Sequence, residues 1–119
     1  MNKEVSFQIA KLLKEKGFNE EVRDYYEEKD GTFYHSQYFR DNISINEKHK
    51  GFVTAPTIAE VVMWLYEKHG IWISVFSTDD VTMFSYKISC RQGHNYSPNF
   101  NSPTEAYEAA IVYTLNNLI

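Results

Sequence analysis

The sequence has one cysteine, three prolines and five glycines in 119 residues, and each scarcity excludes something. A lone thiol, Cys90, cannot close an internal disulfide, which predicts a protein of the reducing cytoplasm. The N-terminal MNKEVSFQIAKLLKEK is charged throughout and contains no apolar core of the kind a secretory signal needs. No apolar run approaches the roughly eighteen residues of a membrane-spanning helix; the longest, Ile58 to Tyr66, is interrupted by Glu60. With so few glycines there is no glycine-rich phosphate loop, and no serine sits in a G-x-S-x-G elbow. The twelve Lys and Arg residues are scattered, without a cluster that can neutralise several neighbouring phosphates, so direct nucleic-acid binding is disfavoured. No cofactor motif is present, and neither a cofactor nor a metal is expected.

Apolar residues make up 43% and aromatics 16%, enough for a packed core. A chain of this length buries roughly two-thirds of its unfolded surface, and residues 1–119 read as a single domain. Its charge is local. Six acids (Glu20, Glu21, Asp24, Glu27, Glu28, Asp30) face only Arg23 and Lys29 in one short segment, an excess equal to the whole net charge of −4.

Apolar spacing predicts a helix over residues 3–16 that stops at Gly17. Tyr- and Phe-rich stretches at 21–28 and 32–39 flank Asp30-Gly31, a hairpin signal. A polar connection at 40–55 leads to a helix ending at His69. Alternation over 71–76 and 84–90, about a turn at Thr78-Asp79-Asp80, predicts a second hairpin. A polar loop at 91–102 precedes a last helix at 103–118. The fold class is α+β, in the order αββαββα. The expected packing is one antiparallel sheet of about four strands, with the helices mainly on one face.

Two local echoes stand out. LKEKGF at 13–18 resembles LYEKHGI at 65–71, each ahead of a hairpin, as a duplication or as shared helix-ending chemistry. Pro-Thr occurs at 56–57 and again at 103–104. Ser102-Pro103-Thr104-Glu105 has the form of a capping box with proline in the first turn, and Thr57 with Glu60 allows the same. The helix after Pro56 is apolar nearly all round, whereas the last one carries Ala106, Ala109 and Ala110. That pairing predicts close contact between the two helices.

Three surfaces are candidates for function. If Ile71, Ile73 and Val75 join Phe84, Tyr86 and Ile88 beneath the helices, Trp72, Phe76 and Met83 form an aromatic patch on the open sheet face. Such a patch suits a protein partner or a homo-oligomer, unless residues 40–55 fold across it. Asp24, Glu27 and Glu28 lie in the acidic segment, which is either a solvated hairpin edge or a docking surface for a basic partner. Tyr34, His35, Tyr38 and Arg40 supply the side chains of a small-ligand or catalytic pocket on the first hairpin. Cys90 and His94 share a C-x3-H spacing, which falls short of a four-ligand zinc site. Cys90 also falls on the inferred core face, where a thiol is ordinarily inert.

The segments APTIAEVVMWLYEKHGIWISV and SPTEAYEAAIVYTLNNLI resemble small uncharacterised proteins carried by bacteriophages and mobile elements of gut bacteria. The likeness covers about the last two-thirds of the chain and transfers no catalytic residues. It implies an accessory protein inside a bacterial cell that works by binding host or phage proteins. The first hairpin and the loop after it lie outside the likeness.

Overall fold

The computed structural model describes residues 3–40, 51–78 and 81–119, with the backbone alone at Arg40. The expected turn at Asp79-Asp80 and most of the 40–55 connection lie outside the described residues. Two compact units emerge, residues 3–57 and residues 58–119.

In the first unit, Ser6 caps α1 (Phe7–Glu15) by accepting the Ile9 N–H at 3.3 Å. The helix starts four residues later than its apolar spacing predicts. Glu4 instead pairs with Thr57, and the Val5 N–H donates to the Pro56 carbonyl at 2.8 Å. At the other end Gly17 takes φ +90°. The Gly17 N–H donates to Lys14, and the Phe18 N–H reaches back to Leu13 at 2.9 Å. These two bonds satisfy last-turn carbonyls and drive Phe18 into the core.

Strand β1 (Val22–Glu27) lies between β2 (Phe33–Arg40) and β3 (Phe52–Thr54), antiparallel to both. The Asp-Gly hairpin forms as expected, with the Glu27 N–H bonded to the Thr32 carbonyl and Gly31 at φ +75°. Tyr26 ties sheet to helix: its hydroxyl donates to the Val5 carbonyl at 2.6 Å, and its ring meets Phe7 at 5.6 Å. Val5, Ile9, Ala10, Leu13, Phe18, Val22, Val53 and Ala55 complete the buried apolar set.

The second unit runs α2 (Ile58–His69), β4 (Trp72–Ser77), β5 (Phe84–Cys90), β6 (Gly93–Tyr96) and α3 (Pro103–Asn117). Its sheet is antiparallel, in the order β4-β5-β6. Gly70 at φ +66° ends α2, its N–H donating to Tyr66 at 3.0 Å, and Ile71 follows as a buried apolar residue. Ser102 caps α3 by accepting the Glu105 N–H at 3.1 Å, with Pro103 in the first turn. The expected box closes one residue early, since the Glu105 carboxylate takes the N–H of Asn101. Ala106 and Ala110 are fully buried, and α3 packs on β4, β5 and α2, so the expected helix contact is present.

The α+β class holds, but a single four-stranded sheet is not what forms. Each hairpin acquires a third strand from a stretch whose sequence reads as polar loop, β3 inside 40–55 and β6 inside 91–102. These occupy the second edges of β1 and β5, so each sheet closes with three strands. The LKEKGF and LYEKHGI echo is helix-ending chemistry. Both copies place a positive-φ glycine and then a buried apolar residue, while the strands that follow are wired differently, with the first central in one sheet and the second in the other. Nor is α2 buried all round. Ile58, Val61, Val62, Trp64 and Leu65 are buried, but Met63 and Tyr66 join Glu60 and Glu67 on an exposed stripe.

Candidate functional site

Six consecutive pairs, from Trp72↔Ser89 to Ser77↔Phe84, fix the β4–β5 register and therefore the faces. Ile73, Tyr86 and Ile88 are buried on the side that meets the helices. The opposite face carries Trp72, Ser74 and Phe76 from β4, and Ser85, Lys87 and Ser89 from β5. Pairing of Lys87 with Tyr96 and of Ser89 with His94 adds two residues of β6 to it. Trp72 is 42% exposed, Phe76 43% and Tyr96 66%.

The rings on this face are held by neighbours. Trp72 meets Tyr66 edge-on at 5.6 Å, the Lys87 ammonium lies 5.9 Å from the Tyr96 ring centre, and His94 Nδ1 is 3.2 Å from the Ser89 hydroxyl. None of the strand residues on the face is a carboxylate, in a chain whose net charge is −4.

One end of the face is covered by residues 97–100. The chain leaving β6 continues along β5: Phe84 and Phe100 exchange backbone bonds at 2.9 and 2.7 Å, and Ser97 bonds Tyr86. Asn99 thereby reaches Ser85, whose hydroxyl donates to its side-chain oxygen at 2.8 Å, leaving Ser85 buried. Met83 is half-buried just before β5, where its carbonyl accepts the Thr78 N–H at 3.0 Å. Of the three patch residues expected from sequence, Trp72 and Phe76 are open, and Met83 closes the strand connection. Tyr96 and His94 join the face only through the pairing of β6, a strand of four residues that is too short for alternation to mark it in the sequence.

The three acids of the first hairpin each have a partner within the same unit. Asp24 pairs with His35, Glu27 accepts the Tyr34 hydroxyl at 3.3 Å, and Glu28 bridges Lys14 at 2.7 Å. The Glu27 charge is the largest influence on Tyr34 and pushes its phenol above the ordinary value. Asp30 accepts from both the Thr32 hydroxyl and the Thr32 N–H, which hold its carboxyl below the usual range.

Tyr34, His35 and Tyr38 do not converge, and the Arg40 side chain lies outside what is described. Tyr34 and His35 are successive strand residues and point to opposite faces. Tyr34 stacks on Tyr25 at 5.5 Å, whereas Tyr38 is 73% exposed. Only the backbone of Arg40 is described, paired with Val22.

A cavity of about 320 Å³ lies by the β5–β6 turn and the end of α3, lined by Cys90, Gln92, Gly93, His94, Asn95, Asn117 and Leu118. Cys90 is half-buried on the helix side of its strand. Among the described residues no three His, Cys, Asp or Glu side chains gather as a metal site. No helix among them is long and apolar enough to cross a membrane.

No protein-family model, curated protein or solved structure matches this chain.

Proposed function

We propose that this chain is a binding protein that works by protein–protein contact through the outer face of the β4–β5–β6 sheet. The supporting observation is the joint exposure of Trp72, Phe76 and Tyr96 on one face with Lys87 and His94 and without a strand carboxylate. Aromatic side chains supply large contact area at low conformational cost, and Trp and Tyr are preferred anchors. In an acidic chain, a face bearing only cationic and neutral groups suits an apolar patch rimmed by carboxylates on the partner. One lysine cannot neutralise a run of phosphates, so a protein surface fits better than a nucleic-acid strand.

On the resemblance of about the last two-thirds of the chain to small phage and mobile-element proteins, we further propose an accessory role in a bacterial cytoplasm, with a host or phage protein as partner. The test is differential capture from host lysate. Proteins retained by the wild type should be lost with Trp72→Ala and with Tyr96→Ala, yet kept with Tyr113→Ala, an exposed tyrosine on α3. Equal retention by all four proteins, or tight binding of a single-stranded oligonucleotide to the wild type, defeats the reading.

A further inference from the structure

An edge strand presents unpaired N–H and C=O groups, and folded proteins protect such edges with charge, proline, bulges or brevity. Among the described residues, three of the four edges are protected in this way. Strand β2 pairs through a register irregularity opposite Val22 and Asp24, β3 has three residues, and β6 has four, beginning at a glycine. Strand β4, Trp72-Ile73-Ser74-Val75-Phe76-Ser77, has six residues in unbroken register with β5, and no charge, proline, glycine or bulge. It packs on β5, α2 and α3, and among the described residues no strand pairs with its other side.

We infer that the β4 edge pairs with the β4 edge of a second copy, antiparallel about a two-fold axis at Ser74, joining two three-stranded sheets into one of six strands. The sequence of β4 is self-complementary in that register. Ser74 faces its own copy, Ile73 faces the second copy's Val75 on the helix side, and Trp72 faces the second copy's Phe76 on the outer side. Directly opposed residues share a face, so the outer faces merge and the helices stay together on the other side. Two aromatic cross-strand pairs result, one on each side of the axis. Charge permits the approach, because β4 has none. The nearest face cation, Lys87, pairs with Ser74 one strand inward. The two copies of Lys87 are therefore about 14 Å apart at the ordinary strand spacing, beyond the Debye length of about 8 Å at physiological salt.

A six-residue edge is about 20 Å long, and alone it buries less than the roughly 800 Å² per partner of a stable interface. The dimer is accordingly a weak one, with a dissociation constant on the order of micromolar or higher. The inference concerns the edge of the sheet whose face is proposed above to bind a partner, and it stands whether or not that face does so.

Cysteine cross-linking reads the register directly. In a Cys90→Ser background, Ser74→Cys places two thiols on directly opposed residues, whose Cα atoms are about 4.5–5.5 Å apart and within disulfide reach. Ser77→Cys in the same background is opposed to residue 71 of the second copy, leaving its two thiols about 20 Å apart. Mild oxidation should convert the Ser74→Cys protein to a reducible dimer and leave the Ser77→Cys protein monomeric. Sedimentation of the unmodified protein should show its mean mass rising with concentration, and Ser74→Asp, which sets two carboxylates on the axis, should abolish the rise. Cross-linking of both cysteine variants, or of neither, overturns the inference, as does a wild type that stays monomeric to millimolar concentration. Loss of partner capture in Tyr96→Ala beside a Ser74→Cys protein that does not cross-link keeps the face reading and overturns the dimer alone, since Tyr96 lies on β6, away from the β4 edge.

Discussion

The rings of Tyr66 and Trp72 meet edge to face across the Gly70 turn, with centres 5.6 Å apart and planes at 83°. One ring comes from the exposed stripe of α2 and the other from the start of β4, so a helix side chain steadies the residue proposed as the anchor of the sheet face. Such aromatic pairs contribute about 0.5–1.5 kcal/mol beyond their buried area. Tyr66→Ala should lower stability by about that amount and broaden the motion of Trp72. The second tryptophan, Trp64, is 5% exposed, so the two indoles are separable by acrylamide quenching. Quenching should be strong in the wild type and weak in Trp72→Phe. Equal quenching of these two proteins would contradict the exposed placement of Trp72.

Ala110 is fully buried in α3, where that helix meets α2 and the sheet. Ala110→Leu adds three heavy atoms to a filled site and should cost on the order of 1–3 kcal/mol, seen as a lowered melting temperature. An unchanged melting temperature would mean that the contact has room to spare.

Gly31 closes the first hairpin at φ +75°, and a Cβ added there lies 2.9 Å from Phe7 Cδ2. Backbone strain alone costs about 1–2 kcal/mol for a non-glycine residue in this region. Gly31→Ala should cost more than that in the wild type and measurably less in a Phe7→Ala background, where only the strain remains. A double-mutant cycle without coupling would show that the ring moves aside freely.

Tyr34 titrates against the Glu27 carboxylate, the first cause of its raised pKa. The unfolded phenol ionises near pH 10, whereas the folded one holds its proton to higher pH. The associated stability is fully present below the unfolded value and is lost as pH rises through the folded pKa. Glu27→Gln should bring the phenolate absorbance transition down toward the ordinary value and flatten the alkaline loss of stability. A transition that does not move would assign the shift to burial instead.

Much of the architecture is legible from local signals. The last helix start is marked by Ser102 and Pro103, and two helix stops by Gly17 and Gly70, all acting through bonds within a few residues; the start of α1 at Ser6 is not what apolar spacing predicts. Both hairpins are legible because alternation and turn residues are also local. The two short strands are not: Phe52-Val53-Thr54 and Gly93-His94-Asn95-Tyr96 have too few residues for periodicity to register, and they become strands by pairing with β1 and β5. The same pairing completes the candidate site. Alternation alone places Trp72 and Phe76 on one face, but Tyr96 and His94 join them through β6, and Asn99 closes the end at Ser85.

The acidic segment marks the same boundary. Six acids among eleven residues are a fact of sequence. That Asp24, Glu27 and Glu28 are engaged by His35, Tyr34 and Lys14 depends on strand register and on where α1 lies. Residue order alone is enough for the class of the fold, most helix boundaries and the cores of both hairpins, since capping, turn geometry and hydrophobic period act over a few residues. The presence of two sheets, the strand central in each, and the set of aromatic residues sharing an open face were settled by the folded chain. Those depend on which edge a short strand finds, and the bonds that fix it join residues that local patterning does not link.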